Sequence, residues 1–232
     1  MKIRVCDSET TGLETDENAR LVELAWCDVD IDTLAVTPPR STFVNPCLPI
    51  PAVASAVHHI VDAMVVGAPV PAGALALLHD GMEPGDIYAA HNKRFDQHFI
   101  PTPEGFPWIC TYKAAKRMIP SAPTHSNQGL RYWLNLEVDP ELAMPPHRAG
   151  ADVHVTACIL VRMLRKVTVE DLVGWAEQPV HLPTLEFGNK HRGSRWADVP
   201  TDYLSWMVND AEKVNPDVLE VARMHLKDRL GK

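Results

Sequence analysis

The stretch Ile3-Arg4-Val5-Cys6-Asp7-Ser8-Glu9-Thr10-Thr11-Gly12-Leu13 decides the fold. A strand sends every second side chain to the same face, so Ile3, Val5, Asp7 and Glu9 share one. Two apolar residues run directly into two carboxylates on that face. Either the strand surfaces at Asp7 and both acids are solvated, or the acids stay enclosed and something positive compensates them. An isolated buried carboxylate is costly. A divalent cation suits the second case, because it takes hard oxygen ligands held close together and a strand end supplies two. The stretch alone leaves both readings open.

Working outward, the chain has 232 residues, 46% of them hydrophobic, which is enough for one full core and a smaller appendage. Its formal charge of −8 argues against wrapping duplex nucleic acid over the whole surface, but not against gripping a few nucleotides in a cleft. No run reaches membrane-spanning length and no basic-then-apolar leader opens the chain, so a cytoplasmic protein without membrane partners is expected. The five cysteines, Cys6, Cys27, Cys47, Cys110 and Cys158, are scattered, as expected of reduced and mostly buried thiols.

The pattern predicts further strands at Leu21–Val29 and near Ser41–Val44, forming an antiparallel meander with the first. Helices are expected at Ala52–His58, with Pro51 in the first turn, and at Ala72–His79, closed by Gly81. Asp86–Ala90 reads as a short buried strand leading into the first turn of a helix at His91–Asp96. Helices at Thr111–Ile119 and Ser126–Leu134 follow, the latter capped by Ser126 or Thr124. Beyond a loop at Glu137–Pro146, a long helix covers Ala149–Arg165, with Val153, Ala157, Leu160 and Leu164 as its buried stripe. Thr168–Glu177 reads as another helix. The expected organisation is a domain over residues 1–166, a helix and linker over 167–186, and a small C-terminal unit over 187–232. Strands first, then strands mixed with helices, imply an α/β layer packing.

Four separated sites combine: Asp7 and Glu9, then Asp96, then His147 and Asp152 in His147-Arg148-Ala149-Gly150-Ala151-Asp152. Taken singly, Asn92–Asp96 is a plain helix start, His147 a loop histidine, and Asp152 an acid stabilised by a helix dipole. In order and spacing, Asp7-Ser8-Glu9-Thr10-Thr11-Gly12-Leu13, His91-Asn92…Phe95-Asp96 and His147-Arg148-Ala149…Asp152 resemble the DEDDh branch of the DnaQ-like exonuclease superfamily. The resemblance covers residues 1–166. Ala56-Val57-His58-His59-Ile60, Trp108-Ile109-Cys110-Thr111 and Phe187-Gly188-Asn189-Lys190-His191-Arg192-Gly193 are similar to elements of the bacterial exodeoxyribonuclease X family within it. Three departures stand out. Ser8 replaces a commoner Thr and is read as facing away from the acids. Lys93 and Arg94 replace smaller residues, and Asn189 stands where Lys is frequent.

The resemblance implies a ribonuclease H-like mixed β-sheet flanked by helices, with a small C-terminal unit. It also implies a metal-dependent 3′→5′ exonuclease that releases nucleoside monophosphates from DNA. Two divalent ions, Mg2+ with Mn2+ as a substitute, would be held by Asp7, Glu9, Asp152 and Asp96. In that reading Asp7 bridges the ions, Glu9 and Asp152 hold the ion carrying the attacking water, Asp96 acts through ordered water on the other, and His147 is the general base. Thr10, Thr11, Gly12 and Leu13 would receive the 3′-terminal nucleotide, with Asn92 and His58 as further substrate contacts. Leu13 is equally a core leucine and His58 equally a helix-end residue. Lys113, Lys116, Arg117 and Arg131 read as solvated helix faces. In the tail, Lys190 and Arg192 are candidate nucleic-acid contacts, while Trp206 reads as core of the small unit.

The expected partner is single-stranded DNA or a DNA 3′ end, with RNA ends as the rival substrate. A polymerase proofreading subunit and a non-catalytic nucleic-acid binding module also fit the motifs. Loss of a metal ligand would favour the binding module, and none is lost. Protein partners, strand preference and processivity have no signal in the sequence.

Overall fold

The computed structural model describes residues 1–231. Five strands form one mixed sheet in the order β3-β2-β1-β4-β5. They are β1 (Lys2–Thr10), β2 (Leu21–Asp30), β3 (Arg40–Phe43), β4 (Ile87–Ala90) and β5 (Trp108–Cys110). The first three make the antiparallel meander, while β1–β4 and β4–β5 pair in parallel. The helices are α1 (Ala52–His58), α2 (Asp62–Val65), α3 (Pro71–His79), α4 (Lys93–Phe99), α5 (Thr111–Met118), α6 (Asn127–Trp133), α7 (Ala149–Leu164), α8 (Val169–Ala176), α9 (Thr201–Asn209) and α10 (Pro216–Leu230). No helix among the described residues is long and apolar enough to cross a membrane.

Both faces of β1 are covered. Ile3 and Val5 pack with Val153, Ala157 and Leu160 of α7, as the stripe predicts. Cys6 packs on the other face with Leu24, Leu78 and Tyr88. Arg4 lies buried on that second face, where its guanidinium meets Asp28 at 2.7 Å and the Leu78 and Asp80 carbonyls. All five cysteines are unpaired.

Two short elements carried no sequence signal strong enough to place them. α2 has a single turn, and β5 has three residues, too few for a period to show. β5 nevertheless sets the geometry, because its parallel pairing with β4 packs the α5 and α8 side of the molecule. Leu172 of α8 packs into the main core. Val180, Leu182 and Leu185 pack with Trp196, Leu204 and Val218 in a separate hydrophobic cluster.

The cations expected to form solvated faces instead hold these parts together. Lys113 donates to the Gln178 carbonyl at 2.6 Å and lies near Glu220; Lys116 faces Glu186; Arg117 donates to Gln178 and stacks on Trp175. Tyr112 packs into the tail core and its hydroxyl donates to Asp217 at 2.8 Å. Arg131 is buried and donates to the Ala143 carbonyl. Trp206, expected in the tail core, is 44% exposed and leans on Phe187 and Tyr203 at the surface.

Candidate metal centre and active site

The parallel pairing of β1 with β4 puts their carboxyl ends side by side, the usual location for a site in such sheets. Asp7 and Glu9 stand at the end of β1, just before a register shift between Glu9 and Thr10. β4 runs on into α4 and delivers Asp96. α7, crossing behind the sheet, delivers Asp152 from its first turn. Asp7, Glu9 and Asp152 each bring a carboxylate oxygen to within 4.8 Å of the other two. With Asp96, His147, Asn92, Asn127 and Gln128 they line a cleft of about 290 Å³.

Each acid is oriented by a named partner. Ser8 Oγ donates to Asp96 Oδ1 at 2.9 Å. Ser8 faces away from Asp7 and Glu9, as expected from strand alternation, and α4 brings Asp96 round to meet it. Asp152 Oδ2 accepts from the backbone N–H of His147 at 2.8 Å. Asn127 Nδ2 reaches the Asp152 carbonyl at 3.1 Å and Thr156 Oγ1, tying α6 to α7. The His147 imidazole itself is exposed at the edge of the cleft, on a residue with φ 58°.

Packing several carboxyls into one enclosed space raises their proton affinity. Burial, then the charges of Asp152 and Glu23, push Glu9 up to about 8. Burial pushes Asp96 up to about 7 despite the Ser8 hydrogen bond, and burial with Asp96 and Asp152 nearby raises Asp7 well above the carboxylate range. Asp152 is raised by burial and partly relieved by the His147 N–H. Such a cluster is poorly matched to water and well matched to a hard divalent cation, which compensates the charge and accepts all the oxygens.

Glu9 carries its proton in the folded state to about pH 8, against an ordinary value of 4.5. The stability of the protonated form is present below that ordinary value and is lost as pH rises through 8. Half-buried His91, held down to about 4 from 6.5 by desolvation, acts in the opposite sense only below pH 6.5. In chelator the melting temperature should therefore fall between about pH 6.5 and 8, and saturating Mg2+ should flatten that slope. Scanning calorimetry across this window checks it; a flat profile in chelator with no response to Mg2+ would remove the cation from the cluster.

The residues expected around the 3′ terminus divide. Leu13 is 66% exposed, so it is not a core leucine. Thr10 and Thr11 are buried and their hydroxyls are engaged internally, Thr10 Oγ1 donating to the Gly12 carbonyl and Thr11 Oγ1 accepting from Arg20 N–H. Any contact they make to substrate must use backbone groups. At Gly12 a Cβ would lie 3.1 Å from Asp16 Oδ2, a tight contact that the exposed Asp16 side chain would have to relieve. Asn92 is exposed and lines the cleft. His58 is fully enclosed, with Nδ1 accepting from Ile60 N–H and the ring facing the Thr10 carbonyl. Its Nε2 is buried without a hydrogen-bond partner.

Lys93 pairs with Glu177 and Arg94 with Glu14, so both departures before Phe95 tie α4 to other segments. A second groove of about 660 Å³ continues from the cleft through His91, Asn92 and Ser126 and is walled on its far side by Glu186 and Asp217 of the tail. Lys190 and Arg192 are exposed on a loop whose base is closed by Leu185 N–H to the Ser194 carbonyl and Gly193 N–H to the Leu185 carbonyl. Beside the cleft, Glu23 and Arg148 form an ion pair that escaped sequence reading, although a lone glutamate within the apolar run of β2 was a usable signal.

The profile of the RNase_T exonuclease family matches residues 5–160. Exodeoxyribonuclease 10 of Escherichia coli (strain K12) is 32% identical over 231 residues, spanning 97% of this chain and 99% of that protein. Among solved structures, exonuclease X in complex with 5′ overhanging duplex DNA superposes with a TM-score of 0.64 at 33% identity, covering 75% of this chain and 98% of that one. The nuclease domain of 3′hExo, a DEDDh family member bound to rAMP, shares the fold with a TM-score of 0.58 at 18% identity over 71% of this chain and 92% of that one.

Proposed function

The chain belongs to the RNase_T exonuclease family, and from that membership we propose that it hydrolyses DNA phosphodiesters from the 3′ end and releases nucleoside monophosphates. The observation that carries the reading is the convergence of Asp7, Glu9 and Asp152 beside an exposed histidine in one cleft. Asp7, Glu9, Asp152 and Asp96 would hold two divalent cations, Mg2+ with Mn2+ as a substitute, Asp7 being shared between them. When bound, such a pair stabilises both the attacking and the leaving oxygen of the displacement. His147 takes the proton of the attacking water, a role suited to an imidazole that is exposed and anchored only through its backbone. The Thr10–Leu13 turn seats the terminal nucleotide, with backbone groups toward the 3′-hydroxyl and Leu13 against the base. The unpaired cysteines suit a reducing, cytoplasmic setting.

End-labelled single-stranded DNA and RNA, incubated with Mg2+ or with chelator, test this directly. Mononucleotide release from DNA that stops in chelator is expected. Release from RNA alone would transfer the chemistry to RNA ends, and no release from either would end the nuclease reading.

Two further outcomes are expected. A 3′-phosphate should slow cleavage strongly, because the added charge meets the acids and the close backbone contacts of the turn, whereas a 5′ block should not. Equal rates on blocked and free 3′ ends would remove the terminal pocket. Changing Lys190 and Arg192 together to Ala should weaken binding at low salt and flatten its salt dependence by about 0.7 per lost phosphate contact on single strands, with turnover at saturation unchanged. Titrations at several salt concentrations decide it; an unaltered slope would leave the tail without a role in holding substrate.

A further inference from the structure

We propose that Glu23 and Arg148 form a clamp that positions His147 and Asp152 against the carboxylates of β1, and thereby set turnover without touching substrate. The inference rests on the nuclease reading above and concerns residues that reading does not use.

Glu23 lies opposite Glu9 in the β1–β2 register and is only 3% exposed. Two acids facing each other across an antiparallel pair repel, and a buried carboxylate needs donors for its oxygens. Arg148 supplies them in a forked arrangement, Nε to Oε2 at 2.9 Å and Nη2 to Oε1 at 2.8 Å. A paired fork of this kind fixes direction as well as distance. The same guanidinium sits 5.3 Å above the Phe43 ring of β3. The neighbouring backbone N–H of Ala149 donates to Glu23 Oε2 at 3.1 Å. Helix α7 has no side-chain cap of its own, so a strand residue satisfies its first N–H from across the core.

These contacts fall on consecutive residues. His147 is held on one side by its own N–H on Asp152, and on the other by Arg148 and Ala149 on Glu23. With φ 58°, a conformation non-glycine residues rarely adopt, its backbone depends on such flanking contacts. The imidazole is the part left free. Loss of the clamp lets the 147–149 junction move relative to β1, which displaces both the base and a ligand. A shift of about 1 Å at a reacting centre costs on the order of 10²-fold in rate.

A buried ion pair can also be mere architecture, with little effect on stability when replaced. The test therefore combines kcat and KM on end-labelled single-stranded DNA with Mn2+ binding by electron paramagnetic resonance and melting temperature. Arg148→Ala should lower kcat by about 10²-fold at near-constant KM and weaken Mn2+ binding roughly 10-fold, the range seen when ligand-orienting groups are lost. Arg148→Lys should restore only part of both, because an ammonium keeps the charge and loses the fork. Glu23→Gln should resemble it, and the double variant Glu23→Gln with Arg148→Ala should be no worse than the weaker single, since the pair acts as one unit. Millimolar guanidinium should raise the kcat of Arg148→Ala. Wild-type kcat and Mn2+ affinity in Arg148→Ala, full recovery by lysine, or a change confined to KM would each overturn the clamp. If Arg148→Ala does not fold, Arg148→Lys and Glu23→Gln carry the comparison. A wild-type protein that cleaves nothing would sink the nuclease reading instead, and the Mn2+ measurements would still judge the clamp.

Discussion

Asp7→Asn is expected to yield a folded protein with almost no Mg2+-dependent nuclease activity. The change is isosteric, so packing against Val153 and Ala157 of α7 through Val5 is undisturbed. What is lost is the charge that two cations would share. Removing a single preorganised stabilising group from an active site commonly costs 10²–10³-fold, and a ligand shared by two ions should cost at least ~10³-fold. A second, independent readout comes from the metal-free state. Asp7 there is an enclosed acid whose proton affinity is raised by burial and by Asp96 and Asp152. The amide needs no ionisation, so Asp7→Asn in chelator should melt above wild type at pH 8, and Mg2+ should add little. Turnover beside calorimetry with and without chelator checks both halves. A folded variant with near-normal turnover would dispose of the shared-ligand assignment, and a chelated variant melting well below wild type would mean that the aspartate is structural.

His147→Ala is expected to lower turnover by roughly 10²–10⁴-fold, the usual contribution of a positioned general base. Its backbone N–H still donates to Asp152 after truncation, so the carboxylate cluster and its Mn2+ binding should survive. This separates the two variants: Asp7→Asn loses cation and rate together, His147→Ala loses rate alone. Single-turnover rates measured beside Mn2+ titrations settle it. A variant with near-wild-type rate would show that another group activates the water.

The acidic motifs were legible because each lies within one local element. Asp7 and Glu9 follow from strand alternation, Asp152 from its place in the first turn of a strongly patterned helix, and Asp96 from the helix start after a short buried strand. The family resemblance joined them, and the chain's match to exonucleases agrees with it. Those stretches also determined the fold class, since a meander followed by strands alternating with helices has few compact solutions.

What the tertiary structure alone decided is the partnership of polar groups distant in sequence. Ser8 and Asp96 meet across 88 residues, and Glu23 and Arg148 across 125. The lysines and arginine of α5 look solvated in any helical projection, yet they bind α8 and the tail because β5 brings those elements alongside. His58 reads from sequence as a ligand contact or a helix end, and only the tertiary structure shows it to be buried. Periodicity records which side of one element avoids water. It holds no record of which other element covers that side. The order of strands in the sheet supplies that, and with it the hydrogen-bond donors that make enclosed carboxylates affordable.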